Sequence, residues 1–132
     1  MKVGFTGTQK GMTGAQKVAF RNLVSKFRAK EFHHGDCIGA DADAHDIARE
    51  LGIYIVGHPP KDPKKRAFKE CDVLRPEYEY ITRNHHIVDE TRYLVATPAE
   101  YEEQLRSGTW STVRYGRKNS CVFIIQPDGK VL

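Results

Sequence analysis

The stretch "EFHHGDCIGADADAHDIARELGIYIV", residues 31–56, decides the architecture. Glu31 to His34 forms a short strand closed by Gly35, and Asp41 to Leu51 places Ala44, Ile47, Ala48 and Leu51 on one helical face. Gly52 supplies a helix stop. Ile53 to Val56 then has the β-branched character of a strand buried on both sides. A strand, a helix and a second buried strand in so short a span predict a parallel crossover unit, because parallel neighbours need a long connection.

The same alternation extends in both directions. Upstream, Lys2 to Thr6 reads as a strand ending at Gly7, Thr8 and Gln9, and Ala15 to Ala29 carries Val18, Leu23, Val24 and Phe27 at helical spacing. Downstream, the prolines at 59, 60, 63 and 76 predict a long connection from Gly57 to about Pro76. A helix over Tyr78 to Asp89, a strand over Tyr93 to Ala96, a helix over Thr112 to Lys118 and a fifth strand over Val122 to Ile125 follow. The "QPDGKV" end reads as a tight turn into a short tail. The expected fold is α/β: a Rossmann-like, doubly wound, mostly parallel five-stranded sheet in three αβα layers, as a single domain over residues 1–132. In such a sheet a ligand sits beyond the carboxyl ends of the strands where the strand order reverses. That rule selects Thr6 to Gln9, Gly35 to Asp41, Gly57 to Pro59, and Thr97 with its following turn.

Composition narrows the classes. With 39% hydrophobic and 29% charged residues the chain has a folded, soluble make-up, and no apolar run reaches the ~18 residues of a membrane span. The N-terminal MKVGFTG enters a strand without a signal-peptide core, so a cytoplasmic location is expected. Cys37, Cys71 and Cys121 form no CxxC pair and are expected to be reduced. A net charge of +4 favours anionic partners in general, without marking a dedicated nucleic-acid binder. The basic run Lys61, Lys64, Lys65, Arg66 and Lys69 reads first as a solvated loop.

Four groups of residues can carry chemistry. Ser107, Gly108 and Thr109 form a turn before a helix, where free amides and the positive dipole end suit a phosphate, although a plain helix cap explains the same residues. Gly7 and Thr8 make a second turn at the end of the first strand, which should adjoin the fourth. The strict GxGxxG and Walker A spacings are absent. Gly35, Asp36, Gly39 and Asp41 lie between strand and helix, where the carboxylates can bind ribose hydroxyls or act as acid and base, or Asp41 can simply cap the helix. Arg83 can clamp a phosphate and Asn84 can read a base edge or sugar, or both can be ordinary surface groups. Trp110 can stack on a base or pack in the core. A metal site joining Asp41 and His45 to His33 or His34 has no recognised zinc spacing, so neither a metal nor a resident cofactor is expected.

Together "GFTGTQKGMT", "HHGDCIGADADAH", "GHPP", "RNHHIVDET" and "RSGTWSTVRYGRK" resemble the SLOG superfamily. That Rossmann-like group includes the DNA-processing protein A domain, the Lonely Guy phosphoribohydrolases, molybdenum-cofactor carriers and small stand-alone nucleotide binders. The similarity runs from Val3 to about Ile125 and implies nucleotide or nucleotide-sugar recognition. It makes Gly7 and Thr8 the first phosphate or ribose loop, Gly35, Asp36, Gly39 and Asp41 the second, Arg83 and Asn84 a ligand-facing pair, and Ser107 to Trp110 the main phosphate turn. A homo-oligomer follows by analogy. Two features depart from the pattern: Trp110, Ser111, Thr112 and Val113 stand where Lonely Guy enzymes follow their glycine-threonine turn with a catalytic glutamate, and Gln9 and His85 replace arginines expected in the stand-alone members.

The leading expectation is therefore a protein that senses or sequesters a nucleotide-derived small molecule, of the NAD, ADP-ribose or cyclic-nucleotide kind, without obligatory catalysis. The alternative is an N-glycosidic hydrolase or transferase with Asp36 or Asp41 as its carboxylate. Binding of single-stranded nucleic acid ranks third, because no aromatic series accompanies the basic run.

Overall fold

The computed structural model describes residues 1–132. β1 (Lys2–Gly7), α1 (Gly14–Lys26), β2 (Glu31–His34), α2 (Ala40–Glu50) and β3 (Tyr54–Gly57) alternate through the first half. β4 (Val73–Leu74), α3 (Tyr80–Asp89), β5 (Tyr93–Thr97), α4 (Gly108–Asn119) and β6 (Cys121–Ile124) complete the chain. The strands pair in the order β4-β3-β2-β1-β5-β6, and every pairing is parallel. The α/β, Rossmann-like architecture is as expected, with one correction: the sheet has six strands rather than five. The added β4 lies in the proline-bracketed connection and is only two residues long, too short to leave a period in the sequence.

Helices cover both faces. Val3 and Phe5 of β1 point toward α1 and α2, in a core with Phe20, Phe32, Ala44 and Ala48. The rings of Phe5, Phe20 and Phe32 pack with centroids 5.4–5.8 Å apart. On the other face α3 approaches the backbone so closely that a Cβ on Gly4 would lie 3.0 Å from Ile87. α4 adds a smaller cluster of Ala96, Trp110, Val113 and Ile124. No helix is long and apolar enough to cross a membrane.

Two local devices shape the edge where the site forms. Thr13 and Gln16 close a capping box on α1. The Gln16 side chain, 1% exposed, then donates to the carbonyls of Pro98 and Ile125, fixing the segments that leave β5 and β6. α4 also differs from expectation. It begins at Gly108, not Thr112, so the Ser-Gly-Thr turn is itself the first turn of the helix.

Candidate functional site

β1 and β5 are neighbours in the middle of the sheet, with Gly7 opposite Thr97 at their carboxyl ends. From β1 the chain proceeds outward through β2 to β4, and from β5 it proceeds through β6 on the other side. The order therefore reverses between Gly7 and Thr97, where a crevice is expected. The loop after β1 is fastened on two sides. Thr8 N–H donates to the Thr97 carbonyl at 3.1 Å, and the Thr8 carbonyl accepts from Ala40 N–H at 2.9 Å. Gly39, at φ +90°, passes so near the Gln9 carbonyl that any side chain would overlap it, which explains a glycine there.

The start of α4 faces this loop. Ser107 caps the helix, its Oγ accepting from Trp110 N–H at 3.2 Å, and the Ser107 carbonyl accepts from Ser111 N–H. The N–H groups of Gly108 and Thr109 have no acceptor within the protein. They border a cavity of about 160 Å³ whose walls include Gly7, Thr8, Gln9 and Glu100. A second cavity of about 320 Å³ lies alongside, bordered by Asn84, His85, Leu105 and Ser111, and the two share Tyr80, Ser107 and Gly108. Together they form one divided groove: a small polar compartment with free amides, beside a larger one whose wall includes the imidazole of His85 stacked on Tyr115 at 3.7 Å. Beside Gly7, the Thr97 hydroxyl is buried without a hydrogen-bond partner.

The predicted residues divide accordingly. Gly7, Thr8, Gln9, Ser107, Gly108, Thr109 and Asn84 meet at the groove. Gly35, Asp36, Gly39 and Asp41 line neither compartment. Asp36 is fully buried, its oxygens accepting from Arg66 Nε at 3.1 Å and Lys69 N–H at 3.0 Å. Asp41 accepts from Cys37 N–H at 3.1 Å, and burial outweighs the nearby Arg83 guanidinium to push its pKa up to about 6. Burial likewise pushes the Cys37 thiol to about 11, so it is an inert thiol.

Arg83 is 2% exposed. Its guanidinium donates to the carbonyls of Gly35 and His58 and to Asn84 Oδ1, so it joins the ends of β2 and β3 to α3. Of the two readings of Trp110, core packing is the one observed: it is 3% exposed, and its indole N–H donates to Glu100 Oε1 at 3.0 Å.

Two groove residues escape the sequence reading. Glu100 follows β5 by three residues, within the turn that the strand-end rule selects, but in isolation it is one of several acids in a polar segment. Tyr80 reaches the groove from the first turn of α3, and a Cβ on Gly108 would lie 2.6 Å from its ring. Gly108 is thus required by this ring as well as by the open amide edge.

The fold and groove define a Rossmann-like α/β protein with an open helix N-terminus, its first amides unpaired, at the point of strand reversal. No family model and no curated protein matches the chain. Among solved structures it is similar to the molybdenum cofactor binding protein from the phototrophic bacterium Rippkaea orientalis, with TM-score 0.72 and 17% identity over 95% of this chain and 76% of that one.

Proposed function

We propose that the divided groove binds a nucleotide-derived small molecule, of the NAD, ADP-ribose or cyclic-nucleotide kind, and holds it without obligatory conversion. The observation that carries this reading is the pair of unbonded amides at Gly108 and Thr109, on residues that line the smaller compartment together with the Gly7–Gln9 loop. Two free N–H groups at the positive end of a twelve-residue helix suit a phosphate. The adjoining larger compartment then receives the sugar or base, within reach of Asn84 and the edge of Tyr80. The SLOG resemblance, which includes molybdenum-cofactor carriers, supports a small ligand, as does the cofactor-binding role of the R. orientalis neighbour.

Retention is favoured over turnover because Asp36 and Asp41, the carboxylates expected to act, are engaged inside the fold. One observation favours the hydrolase reading instead. Glu100 brings a carboxylate into the phosphate compartment, and N-glycoside cleavage needs such a group.

The test is thermal unfolding against a panel of ADP-ribose, NAD, cyclic nucleotides, inorganic phosphate and a single-stranded oligonucleotide, paired with chromatography for released base. A ligand at a hundredfold its Kd should raise Tm by about 10 °C. Ser111→Glu adds a carboxylate at an exposed groove position where the helix tolerates it, and should remove that shift without lowering the unliganded Tm. A shift unchanged by Ser111→Glu, or none across the panel, overturns the proposal. Base release that stops in Glu100→Gln establishes the hydrolase instead.

A further inference from the structure

Two clusters outside the groove each join two buried histidines to a partly buried third ligand-type side chain: His34, His45 and Cys71, and His33, His58 and Glu90. Their hydrogen bonds distinguish them. His34 Nδ1 accepts from the Asp36 main-chain N–H at 2.9 Å, which fixes the His34 proton on Nε2, where it donates to His45 Nδ1 at 3.0 Å. For Nε2 to bind an ion the proton would have to move to Nδ1 and face that N–H, donor against donor. The first cluster is wired as a hydrogen-bond chain, not as a ligand set.

The second cluster is wired the opposite way. Glu31 Oε1 lies 2.7 Å from His33 Nε2 and holds the proton there, leaving the Nδ1 lone pair free to point inward. His58 Nε2 lies 2.8 Å from that Nδ1, and Glu90 Oε1 lies 3.9 Å from it. His58 Nδ1 has no protein hydrogen-bond partner, so nothing opposes the shift of its proton from Nε2 to Nδ1 that ligation requires. In a tetrahedral site with bonds of ~2.0–2.1 Å, ligand atoms sit roughly 3.3 Å apart, between the two separations found here. Glu90, Arg75 and His86 border a cavity of about 180 Å³, which meets the cluster on its Glu90 side.

From this wiring we infer that His33 Nδ1, His58 Nε2 and the Glu90 carboxylate form a binding site for a zinc-class divalent transition ion, with Glu31 as the outer carboxylate that orients His33. Two imidazoles and one carboxylate are a borderline donor set that suits Zn²⁺ or Co²⁺ and disfavours Mg²⁺ and Ca²⁺. A fourth position is left for water or an external ligand. Arg75 opposes the ion. It donates to Glu90 Oε1 from Nε at 3.1 Å and Nη2 at 2.8 Å, so the guanidinium must yield one oxygen as the ion enters.

The experiment titrates Co²⁺ and Zn²⁺ into tag-free, metal-stripped protein, reading the visible Co²⁺ spectrum and calorimetric stoichiometry. One ion per chain is expected, with a spectrum of low-coordinate Co²⁺. Glu31→Gln, which does not touch the ion, should weaken binding roughly 10–100-fold, and Glu90→Gln, at the accessible rim, should weaken it at least as much because a charged ligand is lost. Arg75→Gln should tighten it, whereas a purely structural role for the cluster predicts no gain. His45→Asn should leave it unchanged. Absence of stoichiometric binding, retention of full affinity in both Glu90→Gln and Glu31→Gln, or loss in His45→Asn overturns the assignment. The Arg75 and Glu90 variants keep the test decisive if substitution of a buried histidine unfolds the chain.

Discussion

Glu100 Oε1 accepts the indole N–H of Trp110 at 3.0 Å, so a carboxylate at the edge of the groove is anchored to a ring packed in the core. Replacing Trp110 with Phe keeps most of the packing and removes this charge-assisted bond. Trp110→Phe should cost about 1–2 kcal/mol in denaturant unfolding, and should alter the affinity of any ligand whose hydroxyls approach Glu100.

Arg83 separates two ideas about its role. As a clamp on phosphate, it would lose binding and little else when truncated. As the buried strut described above, Arg83→Met leaves the carbonyls of Gly35 and His58 unsatisfied and Asp41 without its counter-charge. The expected loss is about 3 kcal/mol or more of stability, measured by urea unfolding in the absence of ligand.

Asp41 gives a pH-dependent prediction. Its carboxyl rises from 3.8 to about 6 on folding, so between those values the folded chain binds a proton that the unfolded chain releases. Stability from this group is therefore full below about pH 4 and declines as pH rises to 6. Asp41→Asn mimics the neutral form. Relative to the parent, the variant should be more favourable at pH 8 than at pH 4.5, by roughly 2 kcal/mol, when the two are compared by denaturant unfolding.

Gln9 is exposed at the mouth of the small compartment and carries no charge. Gln9→Arg should tighten an anionic ligand by up to about tenfold at low salt, with the gain shrinking as salt rises. Isothermal titration at two ionic strengths reads both effects.

Much of this fold is legible because each long element has its own local signature: the β-branched run at 53–56, the helical face of Ala44, Ile47 and Ala48, and the glycines that stop or turn the chain. β4 is not, since Val73 and Leu74 are ordered by pairing with Val56 and Gly57 rather than by any pattern of their own. In the site, turn glycines at positions 7 and 108 point to the groove because strand-end geometry is local. The roles of Arg83 and Asp36 are not legible: whether an arginine meets solvent or internal acceptors depends on where residues 35 and 58 arrive, and sequence spacing does not report that. His33 and His58 are likewise brought within 2.8 Å by the β2–β3 pairing, although 25 residues separate them.

The strand order has a consequence for how the chain is made. β1 is synthesised before the other strands of the sheet yet lies at its centre, and one of its two partners, β5, ends only at Thr97. Until that segment leaves the ribosome, the Val3 and Phe5 strand has one edge with nothing to pair against. The nascent polypeptide thus carries an open, apolar, hydrogen-bonding rim until β5 emerges, the interval in which chaperone cover would matter most.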